Sequence, residues 1–383
     1  MTTELEQELD IDLTETNDEV EMFGANEARW YQIAARNGVA DALEHNNKAR
    51  VLVVLPTGSG KTLTSGLIFS CPRIRKALNV EGGRPLRLLF IAHKHRLLTQ
   101  AERTYADAEN VEFISQSAFS SLDPSLFDEQ GNPNWDIACI DEAHHEAMVT
   151  IQYHLDRLGD KPILGLTATP DRADGCLIKF EYTIEPITRE QAVAEGYLAP
   201  TKIHSFVDTP SKDKIDILTD IIENYGSQMG QTMIFVRTKR EVRSLQQVLD
   251  RLGYSSVAIL DQSDHEVDHI LDGFSSGEYK FVLNCNKINE GVDVKGCTDV
   301  ILGRQFGSYP QLNQVIGRAS RPDSDCNVWE LINPLSSRNL DTTVVVGTPE
   351  AHRLVSKEDG VWVEYEFDYT GVQRTGITPI RGM

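Results

Sequence analysis

Short unbroken apolar runs recur along the chain, separated by longer stretches in which apolar and polar residues mix at helical spacing. The runs at 50–55, 87–92, 136–140 and 163–167 predict strands, and the intervening 62–77 and 95–108 predict helices. Strands without polar alternation are buried on both faces, which points to a parallel sheet covered by helices on either side. A second series begins near Thr201, with strands expected at 232–236, 256–260, 280–284, 299–302 and 327–332. Helices are expected at 241–252 and 266–275 between them. The pattern predicts an α/β protein of two tandem lobes, residues 23–199 and 200–335, with Pro200 punctuating the junction. Beyond residue 335 the pattern changes. Val363, Tyr365, Phe367 and Tyr369 alternate with Glu364, Glu366 and Asp368, as in a strand with one buried face. With 342–346 as its partner, this reads as a small β appendage over residues 336–383.

Composition narrows the class. The chain has 383 residues, enough for two or three domains. No apolar run approaches the ~20 residues needed to span a bilayer, and the acidic amino terminus does not read as a secretory signal. Six cysteines without a CxxC pair exclude a disulfide scaffold or paired-cysteine zinc module and fit a reducing, cytoplasmic setting. The formal charge is −21, and the nine acidic residues from Glu4 to Glu21 carry much of it. So many like charges predict a solvated, disordered tail over residues 1–22. Leu5, Leu9 and Leu13 fall at helical spacing, which leaves open an amphipathic helix docking on a protein partner. The acidic balance argues against tight non-specific binding of nucleic acid, while local basic patches can still bind it.

Leu55, Pro56, Thr57, Gly58, Ser59, Gly60, Lys61 and Thr62 lie between an expected strand and an expected helix. That is the context of a phosphate-binding loop. Gly58 and Gly60 let the backbone curl so that its N–H groups point inward, and the helix amino terminus adds its positive end. Lys61 can then reach the β- and γ-phosphates of a nucleotide, and the Thr62 hydroxyl can ligate Mg²⁺. The general motif opens with Gly where this chain has Leu55. The bland alternative is a tight turn beside a surface lysine; strand and helix on the correct sides disfavour it.

A nucleotide-bound Mg²⁺ needs a carboxylate at the end of a nearby parallel strand. The run at 136–140 ends in Asp141, Glu142, Ala143, His144 and His145. Asp141 is placed to hold the hydrated metal, and Glu142 to orient and polarise an attacking water. Metal binding by His144 and His145 is the rival reading, but adjacent side chains diverge and no third ligand follows at suitable spacing.

In these residues the chain resembles the superfamily two helicases, the DEAD/DEAH-box class of nucleic-acid-dependent ATPases, over about residues 26–333. Asp141-Glu-Ala-His144 matches the named box, and Arg29-Trp-Tyr-Gln32 looks like the motif whose glutamine reads adenine. Residues 90–100, with His93, Lys94 and Arg96, and Gln116-Ser117 resemble strand-contacting motifs. Thr167-Ala-Thr169-Pro170 matches the segment linking ATP state to nucleic-acid grip. Residues 233–238 with Arg237, Asn289-Glu-Gly-Val-Asp293, and Gln314-Val-Ile-Gly-Arg-Ala-Ser-Arg321 match the later motifs in family order. Residues 164–175 and 195–200 are similar to the RadD- and UvsW-like DNA helicases and, more distantly, to restriction-enzyme motor subunits.

The resemblance implies two RecA-like lobes that use ATP and Mg²⁺ and act on nucleic acid, DNA before RNA. Lys61, Asp141, Glu142, Arg318 and Arg321 would be catalytic, with Gly291 and Asp293 bordering the nucleotide. His93, Lys94, Arg96, Gln116, Arg237 and Arg304 would meet nucleic acid, and His144, Thr167, Thr169 and Gln314 would couple the sites. A nucleotide-gated adaptor, or a motor subunit of a restriction or defence complex that does not unwind, stands as the alternative.

Overall fold

The computed structural model describes residues 22–23, 26–80, 84–92, 98, 101–102, 104–105, 110–115, 119, 126–144, 153, 161–169, 180–207, 214–285, 294–322, 324–333, 340–347, 349–358, 361–367 and 378–380. The chain divides into two compact units, Met1–Thr188 and Arg189–Met383. That division falls ahead of the junction expected at residues 199 and 200.

In the first unit a short hairpin, β1 (Met22–Phe23) and β2 (Asn26–Glu27), precedes α1 (Trp30–His45). Then follow β3 (Arg50–Val54), α2 (Lys61–Ser70), α3 (Pro72–Ala77), β4 (Leu88–Ala92), β5 (Val111–Ser115), β6 (Ile137–Ile140), β7 (Ile163–Thr167) and β8 (Tyr182–Ile184). The last six strands form one sheet in the order β5-β4-β6-β7-β3-β8, parallel throughout. Four of the expected strands are present. β4, β6 and β7 are buried at every position, as a sheet covered on both faces requires. The single helix expected over 62–77 is two. Pro72 lacks an N–H and forces the residue before it out of helical geometry, and Cys71 is extended at φ −71°, ψ 119°. The helix expected at 95–108 lies largely outside the described residues.

The second unit contains α4 (Arg189–Ala194), β9 (Thr201–Val207), α5 (Lys214–Tyr225), β10 (Gln231–Val236), α6 (Lys239–Arg251), β11 (Ser256–Ile259), α7 (Asp264–Ser275), β12 (Phe281–Cys285), β13 (Cys297–Leu302), α8 (Tyr309–Ile316) and β14 (Cys326–Ile332). After these come α9 (Thr343–Val346), β15 (Ala351–Glu358), β16 (Val361–Phe367) and β17 (Thr378–Ile380). The sheet order is β11-β12-β10-β13-β14-β9-β15-β16-β17. Successive residues of β10 serve opposite faces. Met233 and Phe235 pack with Val267, Phe274 and Val315 from α7 and α8. Ile234 and Val236 pack with Ile217, Ile221, Val242 and Leu245 from α5 and α6. Capping boxes at Thr238 with Glu241 and Ser263 with Glu266 start α6 and α7.

The β segment expected after residue 335 continues this sheet. β15 pairs parallel with β9, and β16 and β17 then add antiparallel strands. The expected partner at 342–346 is instead the helix α9. Asp341 Oδ1 accepts from both the backbone N–H and the hydroxyl of Thr343, which starts a turn, and Gly347 ends it at φ +70°. The position beside β16 belongs to β15.

Candidate nucleotide site

The phosphate loop occupies the carboxyl end of β3, between β7 and β8 in the sheet. Gly58 and Gly60 take φ of +89° and +91°, a region that side chains disfavour. A Cβ on Gly60 would also lie 2.7 Å from Gln32 Nε2. The loop is held by its own bonds: Ser59 Oγ donates to the Pro56 carbonyl at 2.7 Å, and Leu55 N donates to Thr167 O at 2.9 Å. It is also braced from α1. Tyr31 donates its hydroxyl to Ser59 O at 2.8 Å, and Gln32 Nε2 donates to the same carbonyl at 3.1 Å. Arg29 joins the brace, its Nη1 donating to the Tyr31 hydroxyl and its backbone N–H to Gln32 Oε1. Thus Arg29, Gln32 and the loop form one bonded group in which Gln32 is buried.

β6 lies on the other side of β7, so Asp141 and Glu142 emerge from the same sheet edge as the loop. Asp141 N donates to Ile91 O and Ala143 N to Leu166 O, which keeps this turn registered to β4 and β7. Between them Glu142 adopts φ +52°, where a side chain costs roughly 1–2 kcal/mol. That backbone directs its carboxylate toward Lys61 Nζ, 3.7 Å away. The other carboxylate oxygen lies 3.5 Å from His144 Nδ1, which is 2.9 Å from Thr167 Oγ1. Thr167 donates its hydroxyl to Thr169 O at 2.7 Å and accepts from Thr169 N at 3.1 Å. Its only proton being used, Thr167 accepts from His144, so the imidazole carries its proton on Nδ1. Burial, and secondarily the Glu142 carboxylate, push the Asp141 carboxyl up to about 7 against the pull of Lys61.

These residues suit ATP with Mg²⁺. Asp141 is a buried carboxylate whose charge a cation would stabilise, and the buried Thr57 Oγ1 and Thr169 Oγ1 have no hydrogen-bond partners among the described residues. Among the described residues no group of three or more His, Cys, Asp and Glu could hold a metal by itself, and His144 faces Thr167.

In the second unit, Gln314 lies on α8 and Arg318 and Arg321 just beyond it. Arg318 is buried, Arg321 half-buried, and burial depresses the Arg321 pKa. Arg237 and Arg304 follow the adjacent parallel strands β10 and β13 at one sheet edge. Arg237 is exposed, whereas the Arg304 guanidinium lies 4.3 Å from the Phe306 ring centroid and is half-buried. His93, Lys94, Arg96, Gln116, Gly291 and Asp293 lie outside the described residues.

Two family models match the chain in sequence order. The one described as type III restriction enzyme, res subunit, matches residues 26–172, and the helicase conserved C-terminal domain matches residues 213–323. The first spans the phosphate loop and Asp141–His144; the second spans Gln314, Arg318 and Arg321. The chain belongs to the superfamily two helicases. A type I restriction enzyme EcoAI endonuclease subunit from Escherichia coli is 24% identical over 366 residues, covering 77% of this chain and 44% of that protein. The helicase-family chain spans about half the length of several curated relatives it matches. Among solved structures, a fragment assigned as the HsdR subunit of a type I restriction enzyme from Vibrio vulnificus YJ016 has a TM-score of 0.68 at 20% identity. It covers 88% of this chain and 70% of that one. Dbp5 from S. cerevisiae bound to RNA and ADP BeF3 has a TM-score of 0.60 at 17% identity, covering 85% and 90%. These likenesses show the RecA-like fold of both lobes.

Within this helicase fold, one brace had no separate signal in the sequence. Tyr31 is fully buried and shares the Ser59 carbonyl with Gln32. Neighbouring helical residues point about 100° apart, so periodicity gives no reason for both to reach one carbonyl.

Proposed function

We propose that this helicase-family chain is an ATP-hydrolysing motor that moves on nucleic acid, DNA in preference to RNA. The supporting observation is the connected series Lys61–Glu142–His144–Thr167–Thr169. It runs from the phosphate loop to the segment that, by resemblance, reports nucleotide state. Bound ATP with Mg²⁺ would supply the reactive phosphoryl group. Thr62 and Asp141 would hold the metal, in keeping with the way Mg²⁺ combines one or two carboxylates with substrate phosphates. Lys61 and the loop N–H groups would bind the phosphates, and Arg29 and Gln32 the adenine. Glu142 would orient the attacking water, and His144 would pass any movement of that carboxylate to Thr167. Arg318 and Arg321 are assigned to the charge that develops during phosphoryl transfer. Nucleic acid would be gripped mainly at its phosphates by His93, Lys94, Arg96, Gln116, Arg237 and Arg304, a sequence-blind mode suited to translocation.

The preference for DNA rests on the match to the restriction-enzyme family and the restriction-subunit relative. ATP turnover with single-stranded DNA, single-stranded RNA and forked DNA tests it; stronger stimulation by RNA would reverse the preference. Lys61→Ala and Glu142→Gln should abolish turnover, and Arg318→Ala should lower it by roughly 10³-fold while the chain still folds. Normal turnover by Lys61→Ala would overturn the site. The restriction relatives also favour a second reading, a motor component that does not unwind. ATP turnover without strand displacement would select it.

A further inference from the structure

We infer that Arg189, the first residue of the second unit, is a positioning residue for the segment that carries Arg318 and Arg321; this rests on the function proposed above. Arg189 Nη2 donates to Ser320 Oγ at 2.9 Å and to Thr201 Oγ1 at 3.2 Å. Ser320 sits between the two arginines, is fully buried, and donates its hydroxyl to Ala199 O at 3.4 Å. One guanidinium therefore ties three pieces together: the start of α4, the start of β9 and the turn after α8. α8 ends at Ile316, and beyond it the backbone N–H groups of Arg318 and Ala319 donate to the carbonyls of Val315 and Ile316.

The arrangement is costly as a purely structural device. Among the described residues Arg189 Nε and Nη1, both buried, have no hydrogen-bond partner, and burial lowers the pKa of the group. A buried cation with unmet donors is poorly suited to stabilising a fold, and an apolar side chain of similar size would pack there more cheaply. Its position supplies another use. The chain passes from one unit to the other at Thr188 and Arg189. The crossing point is thus bonded to the turn that bears the catalytic arginines. A displacement of the crossing segment is transmitted to Ser320, and so to Arg318 and Arg321, through the Arg189–Ser320 hydrogen bond. Sequence motifs do not reveal this, because residues 189 and 320 are far apart in the chain and neither stands out in composition.

The test is steady-state ATP hydrolysis at saturating nucleic acid, with thermal melting of each variant. Arg189→Met should lower kcat by roughly tenfold or more, the order expected for losing a hydrogen bond from a charged donor. The KM for ATP should stay within about twofold, because the phosphate loop belongs to the first unit. Arg189→Lys keeps a cationic donor and should recover most of kcat, and Ser320→Ala should fall between wild type and Arg189→Met. In a double-mutant cycle with Arg318→Ala, the two losses should be far from additive. Should Arg189→Met fail to fold, Ser320→Ala and the cycle of Ser320→Ala with Arg318→Ala carry the test. Unchanged kcat in folded Arg189→Met or in Ser320→Ala, or additive losses, would overturn the inference. Lys61→Ala and Arg318→Ala serve as controls. If they also retain full turnover, the proposed function fails first; if they are inactive while Arg189 and Ser320 variants are normal, only this inference fails.

Discussion

Tyr31 and Gln32 meet on the Ser59 carbonyl, so the shape of the phosphate loop depends on side chains nearly thirty positions upstream. Tyr31→Phe removes one buried hydrogen bond and takes from Arg29 Nη1 the hydroxyl to which it donates, while Gln32 still holds the carbonyl. We expect a loss of about 1 kcal/mol in urea unfolding and a several-fold rise in the KM for ATP. Gly60→Ala should cost more, since the added carbon meets Gln32 Nε2 at 2.7 Å and the residue must hold φ +91°. Full ATP affinity in Gly60→Ala would show that the loop does not need this backbone. At this scale the sequence is informative where spacing alone imposes chemistry, as with the two glycines and Lys61. It is silent on the left-handed backbone of Glu142, because nothing local requires it. Only the bonds of its neighbours to Ile91 and Leu166, set by sheet pairing, do.

The core strands were legible because burial on both faces leaves an uninterrupted apolar run, as in β4, β6 and β7. Edge strand β5 is buried at only one of its five positions and has no such run, so the apolar pattern does not mark it. The break at Pro72 was legible in principle, whereas α9 turns on one Asp341 side chain, which no periodicity reports. The joining of β15 to β9 is a long-range pairing, marked in the structure by a buried polar network. Ser205 of β9 donates to Glu330 of β14 at 2.5 Å and contacts His352 Nε2 of β15 at 2.8 Å, and Thr342 also donates to Glu330. Burial raises the Glu330 carboxyl above its ordinary value despite the two hydroxyl donors. A raised carboxyl pKa means that the folded chain holds a proton the unfolded chain has lost. The associated stability is present below the unfolded value and disappears as pH rises through the folded one. His352 acts in the opposite sense: burial lowers its pKa, so its share is lost as pH falls. Glu330→Gln removes only the carboxyl contribution. Urea unfolding from about pH 4 to 8 should show wild type losing stability relative to Glu330→Gln as pH rises. Parallel curves for the two proteins would mean that Glu330 does not change protonation on unfolding.

At the scale of the whole molecule, charge opposes the proposed partner. A chain of formal charge −21 must bind a polyanion through local arginines and lysines, with the rest of its field repelling it. The sequence shows this imbalance plainly, and it also shows that residues 1–21 contribute nine acidic groups and no basic ones. Two effects can then be separated by salt. Contacts between exposed side chains such as Arg237 and phosphates release counterions, giving a slope of about −0.7 in log K against log salt for each single-strand phosphate neutralised. Repulsion from the acidic segment acts at longer range and is screened over about 8 Å at physiological ionic strength. Removing residues 1–21 should therefore strengthen single-stranded DNA binding at low salt, and the gain should shrink as salt rises. Arg237→Ala should instead weaken binding and flatten the slope by about 0.7. If the shortened and full chains bind equally at every salt concentration, the acidic segment lies beyond reach of the nucleic-acid path and does not regulate access to it.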